Sequence, residues 1–329
     1  MSAPAWPPRM PAILNGSRLS PETLRKVWVR AVLCLSFYAL WILAVRLVAL
    51  SLITYFMMSS HSRFQEIAEV YSANEIGLAA LGALLFIGLL LWLTPLTSTT
   101  RFEIFTPQRF EKRFLPGFLQ GTTIAALFAF AFLLGEIYRY LGFFIQAEEA
   151  PFMLASIGLR MASLIGLAYA EEFIFRHKIL GYLRRTLPDL FAIGLAAVAY
   201  CLIKNLQFDL SWTQTLTLFL ASLALGVRAT VSGDFARGAG LLAGALIVFQ
   251  AILSLPVFGN EFQGVFLIKT DAAAEFTAGG MRFLSGGGGG PLSSVLVQLL
   301  LVFDLFRSLF KNRSILFMNT VPRVSSKRT

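Results

Sequence analysis

Long apolar runs alternate with short charged ones along the whole chain. Apolar windows at 31–56, 76–97, 117–138, 153–175, 190–206, 213–228, 238–255 and 291–310 approach or exceed the roughly 20 residues that a helix needs to cross a bilayer. The pattern predicts an all-α fold, a polytopic membrane helical bundle of about eight transmembrane helices.

Charge on the connecting segments tests that count, because cytoplasmic loops carry the excess of Lys and Arg. Basic clusters fall on alternate connections: Arg9, Arg18, Arg25, Lys26 and Arg30; Arg101, Arg109, Lys112 and Arg113; Lys178, Arg184 and Arg185; Arg228 and Arg237; and the tail from Arg307 to Arg328. The intervening loops hold Glu66, Glu69 and Glu75, then Glu148 and Glu149, then Asp209 near Lys204, then Glu261, Asp271 and Glu275 with Lys269 and Arg282. This alternation predicts that both termini lie in the cytoplasm.

Composition agrees. With 57% hydrophobic and 14% charged residues, a 329-residue chain is too poor in charge for a soluble globular protein. The net charge of +10 sits mostly at the cytoplasmic edges of helices, so anionic membrane lipids, not nucleic acid, are the expected partners. The two cysteines, Cys34 and Cys201, both fall within predicted spans and provide neither a disulfide framework nor a CxxC metal site. No cofactor and no bound metal is expected.

Five segments follow: a Pro-rich cytoplasmic tail (1–26) without a cleavable signal pattern, N-terminal transmembrane helices (27–149), a core (150–255), an external Gly-rich loop (256–290), and a last helix with a basic tail (291–329). Gly286 to Gly290 reads as a flexible linker. Gly117-Phe-Leu-Gln-Gly121 and Gly240-Leu-Leu-Ala-Gly244 place glycines four apart, a spacing that lets helix backbones approach closely in lipid. Arg46 lies deep in the first span and needs a partner or a snorkelling route, with Glu136 as a candidate.

The chemistry concentrates at Ala170-Glu-Glu-Phe-Ile-Phe-Arg-His177, at the end of an uncharged run from Met161. Each charge at membrane depth costs about 2.5–3.5 kcal/mol on insertion scales, so three in six residues imply a use. On a helix Glu172 and Arg176 stack four apart and can pair, while Glu171 lies about 100° round and stays free to take a proton or hold water. If the helix continues to Arg185 and turns at Thr186 to Asp189, Glu171 stands 14 residues from the turn, about 21 Å. Lys204 stands equally far along the returning helix and is expected at the same level.

These residues resemble a known family. Ala170-Glu-Glu-Phe-Ile-Phe-Arg176 is similar to the EExxxR motif of the CPBP family, the CAAX-processing and bacteriocin-processing (Abi) intramembrane endopeptidases. The family's second motif, FxxxH, corresponds to Tyr200-Cys-Leu-Ile-Lys204, with Lys204 in the place of histidine. Its third, a histidine followed four residues later by asparagine, corresponds to Ala239 to Ala245 and beyond, with Leu242 and Leu246 in those places. The resemblance covers roughly residues 150–253.

It implies a CPBP-like core in a bacterial cytoplasmic membrane, with Glu171 as the base that activates water, Glu172 oriented by Arg176, and Lys204 beside them. Both motif histidines are replaced, and only His61 and His177 remain in the chain, fewer than a zinc site requires. A lysine facing Glu171 forms an ion pair more naturally than it acts as a base. The expectation is therefore a degenerate site that binds a membrane peptide, a prenylated peptide, a lipid tail or a partner membrane protein. Two alternatives stand beside it: an active protease with a non-standard site, and a transporter or channel component using Arg46, Glu136, Glu171, Glu172 and Lys204. His177 is expected at headgroups or the helix end, and Asn205 and Gln250 in interhelical hydrogen bonds.

Overall fold

The computed structural model describes residues 21–59, 64–93, 110–144, 150–259, 261–270, 280–313 and 316. The expectations for residues 1–20, for His61, for Glu148 and Glu149 and for the tail beyond 316 lie outside these. Helix α1 (Pro21–Ser59) is followed by α2 (Phe64–Leu93), α3 (Leu115–Leu134), α4 (Ala150–Glu172), α5 (Asp189–Gln207), α6 (Trp212–Ser232), α7 (Ala236–Leu246) and α8 (Val295–Lys311). The fold is an all-α membrane bundle.

Seven helical segments among the described residues are long and apolar enough to cross a bilayer: Trp28–Tyr55, Asn74–Trp92, Phe110–Leu134, Ala150–Leu183, Asp189–Gln207, Trp212–Ser232 and Gly287–Lys311. The eighth expected span, 238–255, is a shorter apolar helix, Ala236–Ile252. Its last six residues wind as π-helix, and Leu253 to Pro256 have left the helix. Its middle is lined by small residues, and Ala239, Gly240, Ala243 and Gly244 are all buried.

The two glycine pairs explain that burial, because they interlock with each other. A Cβ at Gly117 or Gly121 would overlap the carbonyls of Arg237 and Leu241, and one at Gly240 or Gly244 would overlap those of Phe114 and Phe118. Gly117 lies by Arg237 and Gly121 by Leu241, so α3 and α7 run parallel at backbone contact.

Helix α3 ends at Leu134, four residues before the expected boundary, where Gly135 and Glu136 turn the chain and Glu136 adopts φ 56°. Beyond it, β1 (Arg139–Phe143) pairs antiparallel with β2 (Phe266–Lys269) in the register Arg139 to Lys269 and Phe143 to Phe266, with a bulge between Tyr140 and Gly142. Sheet pairing thus ties the segments that follow α3 and α7.

The glycine run packs more closely than a flexible linker implies. Gly287–Ser293 forms a 3-10 turn in which a Cβ at Gly290 would overlap the Pro256 carbonyl. Gln214 Nε2 donates to the Gly289 carbonyl at 3.1 Å, and Thr270 Oγ1 donates to that of Gly287 at 3.0 Å.

Candidate functional site

The site forms where α4 changes its winding. Glu171 and Glu172 close the α-helical part, and Phe173–Ile179 continues as π-helix before a final turn, Leu180–Leu183, and the reversal at Arg184 to Pro188. π-Helical turns inside α-helices recur at functional sites. Here the widened turn carries Arg176 and leads into α5, which brings Lys204 back beside Glu171, as the residue count anticipates.

Two ion pairs result. Lys204 Nζ lies 2.7 Å from Glu171 Oε1, with both side chains at most 1% exposed. Arg176 Nε lies 3.3 Å from Glu172 Oε1, also buried. A second layer holds each cation. Lys204 Nζ sits over Phe258 at 4.1 Å, Phe208 at 4.9 Å and Tyr200 at 5.7 Å, so three aromatic faces help hold the ammonium beside Glu171. Arg176 stacks over Tyr200 at 4.8 Å and donates through Nη2 to Ser222 Oγ at 3.0 Å. The Tyr200 hydroxyl donates to Glu171 Oε2 at 3.3 Å.

All four candidate residues, Glu171, Glu172, Arg176 and Lys204, therefore meet in one buried cluster. Tyr200, which sequence leaves open between packing and substrate contact, joins the two ion pairs. Ser222 and Phe258 also belong to the cluster, and no motif or spacing in the sequence marks them. The first turn of α7, just before the Ala239–Ala245 stretch, also reaches the cluster: a Cβ at Gly238 would stand 3.0 Å from Glu172 Oε2. Leu242, at the position of the family's histidine, packs with Phe118, Ile165 and Tyr169 around a small apolar cluster.

Other expectations need correction. Arg46 does not pair with Glu136, which is exposed at the turn after α3. Instead Arg46 Nη2 meets Glu75 Oε1 at 3.2 Å, Nε donates to the Tyr71 hydroxyl at 2.8 Å, and Nη1 donates to the Leu206 carbonyl at 2.6 Å. The reason is the geometry of the guanidinium, whose fork reaches the last turn of α5 and α2 together. His177, expected at headgroups or the helix end, lies in the last turn of the π-helical segment, where it stacks on Phe173 at 5.1 Å and lies 5.6 Å from Phe235. Asn205 bridges helices as expected, accepting from Thr215 Oγ1 at 3.2 Å.

The donor set around Glu171 does not fit a divalent cation, since an ammonium already neutralises one carboxylate and a guanidinium the other. Among the described residues no group of three His, Cys, Asp or Glu side chains gathers.

A polytopic membrane protein with paired carboxylates on a helix that winds into a π-turn is the class that these features define. Residues 151–241, which contain the whole cluster except Phe258 and make up less than half of the chain, match the family model described as type II CAAX prenyl endopeptidase Rce1-like, so this segment is an Rce1-like domain. No curated protein and no solved structure matches the chain.

Proposed function

We propose that this chain is an integral membrane protein in which the Rce1-like site has lost cleavage and binds a membrane-embedded peptide, lipid tail or partner protein. The observation that carries the reading is the 2.7 Å pair between Lys204 Nζ and Glu171 Oε1. A general base needs a free lone pair aimed at a water. Here one oxygen of Glu171 faces an ammonium and the other accepts from Tyr200. With both oxygens engaged in this way, neither is left aimed at a water.

One observation favours a second reading, an active protease with a non-standard site. Lys204 and Tyr200 both present donors to Glu171, and the same donors would stabilise an oxyanion if a substrate carbonyl came between. In that reaction a water oxygen bonds to the carbonyl carbon while Glu171 takes one of its protons. The C–N bond then breaks and the proton passes to the leaving amine.

The test is cleavage of prenylated CAAX peptides and leader-bearing peptides by the full chain in lipid nanodiscs. Wild type is compared with Glu171→Gln and with Lys204→His, which restores histidine at the family position. No cleavage by wild type, with photo-crosslinking of a prenylated or leader peptide to residues near Glu171, supports the binding role. Cleavage by wild type that Glu171→Gln abolishes overturns it in favour of the second reading. A pH-driven flux lost in Glu171→Gln would instead make the chain a transporter.

The membrane proposed is a bacterial cytoplasmic one, with both termini inside. Its support is the alternation of basic loops together with the parallel packing of α3 and α7, the orientation expected when the three helices between them, α4, α5 and α6, each cross the membrane.

A further inference from the structure

The Glu171–Lys204 pair lies near one end of α5, not at its middle. Lys204 stands three positions before Gln207, the last residue of that helix, which is about 4.5 Å of rise. The opposite end, Asp189, is about 22 Å away. The nearer end of that helix is therefore the one at Gln207.

That end holds a small cavity with room for one water, about 20 Å³ open to a water's centre, lined by Ile42, Arg46, Tyr71, Glu75 and Gln207 among others. Arg46 is 36% exposed and forms its outer rim. Gln207 forms the inner wall and is 2% exposed, yet neither Nε2 nor Oε1 reaches a hydrogen-bond partner among the described residues. Tyr38, fully buried two helical turns before Arg46 on α1, has its hydroxyl in the same condition. That hydroxyl and the Gln207 side chain are near neighbours that do not meet full hydrogen-bond geometry, and Glu171 lies close by.

Buried amide and hydroxyl groups are nearly always satisfied, and water satisfies them where the protein does not. Three such atoms, in two side chains between a water-sized cavity and a buried ion pair, form a polar path with a water-sized opening at its outer end. Phe208 and Phe258, stacked 4.9 Å apart, cover Lys204 Nζ with their rings.

We propose that Gln207 and Tyr38 bind internal water that connects the Arg46–Glu75 cavity to the Glu171–Lys204 pair, giving the site its access to solvent. The path skirts the aromatic roof. It stands whether Glu171 cuts or only binds, because it concerns the supply of water and protons and not their use.

Radiolytic hydroxyl labelling with mass spectrometry reads water beside a side chain, and full-length protein in nanodiscs is suitable for it. Tyr138 is the standard: it is 2% exposed and lies outside the membrane spans, whereas Tyr38 is fully buried within one. Tyr38 is expected to label several-fold faster than Tyr138, and Gln207→Leu should bring it down to the Tyr138 rate. Wild-type Tyr38 labelling no faster than Tyr138 overturns the proposal, and that comparison needs no variant to fold. Fast labelling unchanged by Gln207→Leu in folded protein overturns the route through Gln207. Peptide cleavage is not measured, so these outcomes are separate from those that decide the function of Glu171.

Discussion

Lys204 of α5 and Glu171 of α4 form a 2.7 Å ion pair in which neither side chain is more than 1% exposed. Removing one partner from such a pair leaves an uncompensated buried charge, whereas removing both leaves only a change of shape. Lys204→Met is therefore expected to destabilise the protein by about 3–5 kcal/mol, and Glu171→Gln by a comparable amount. The double variant should lose clearly less than the sum. Thermal unfolding of the four proteins in one detergent checks this, and additive losses would mean that the pair carries no coupling.

Arg46 makes a different kind of contact, one that depends on the shape of the cation. Its fork reaches Glu75, Tyr71 and the Leu206 carbonyl at once, on two neighbouring helices. A lysine has the charge but not the fork. Arg46→Lys is expected to cost on the order of 1–3 kcal/mol, through charged hydrogen bonds lost and a carbonyl near the end of α5 left unsatisfied. Glu136→Gln, at an exposed turn, should stay within about 0.5 kcal/mol. Chemical unfolding in mixed micelles separates the two, and a larger loss for Glu136→Gln would restore it as the partner.

The contrast between Lys204 and Arg46 shows what the sequence reveals. Lys204 meets Glu171 because both lie on helices joined by a short turn, and counting residues at a fixed rise from that turn puts them level. Arg46 meets Leu206, 160 positions away, and no local count reaches that far. Helix positions follow from apolar run length, but Phe173–Ile179 winds as π-helix with the same residues that would suit an α-helix, so its geometry is invisible in the pattern. Ser222 and Phe258 enter the cluster only through the packing of α6 and of the loop after α7. The β1–β2 pairing is hidden for the same reason, since its strands lie more than a hundred residues apart.

Tyr138 gives a prediction for alkaline pH. It lies outside the spans, is 2% exposed and donates from its hydroxyl to the Ser285 carbonyl at 3.3 Å. Burial pushes its phenol above the ordinary tyrosine range. The folded state thus holds this proton more tightly than the unfolded chain, whose tyrosines titrate near about pH 10. The contribution is fully present below that pH and is lost as pH rises beyond it toward the folded value. Tyr138→Phe should therefore flatten part of the fall in stability above about pH 10 while losing one hydrogen bond's worth, about 1 kcal/mol, at neutral pH. Unfolding midpoints across alkaline pH check it, and identical slopes for the two proteins would contradict it.

The interlocked glycines give the sharpest stability prediction, because a single methyl group tests them. At Gly121 a Cβ would overlap the Leu241 carbonyl, and at Gly240 that of Phe114. Backbone cannot rotate aside as a side chain can, so either alanine forces α3 and α7 apart along their length. Each is expected to cost about 1–3 kcal/mol or more, the usual range for overpacking. Gly88 sits in α2 with nothing within 4 Å of the same position. There alanine should be neutral, or stabilising by up to about 1 kcal/mol through helix propensity. Comparing the three variants by thermal unfolding in nanodiscs separates close approach from propensity, and equal effects at Gly88 and Gly121 would mean that the two helices do not depend on backbone contact. Since α7 brings Gly238 against Glu172, a folded Gly240→Ala protein should also show altered peptide crosslinking near Glu171, linking this packing to the site it supports.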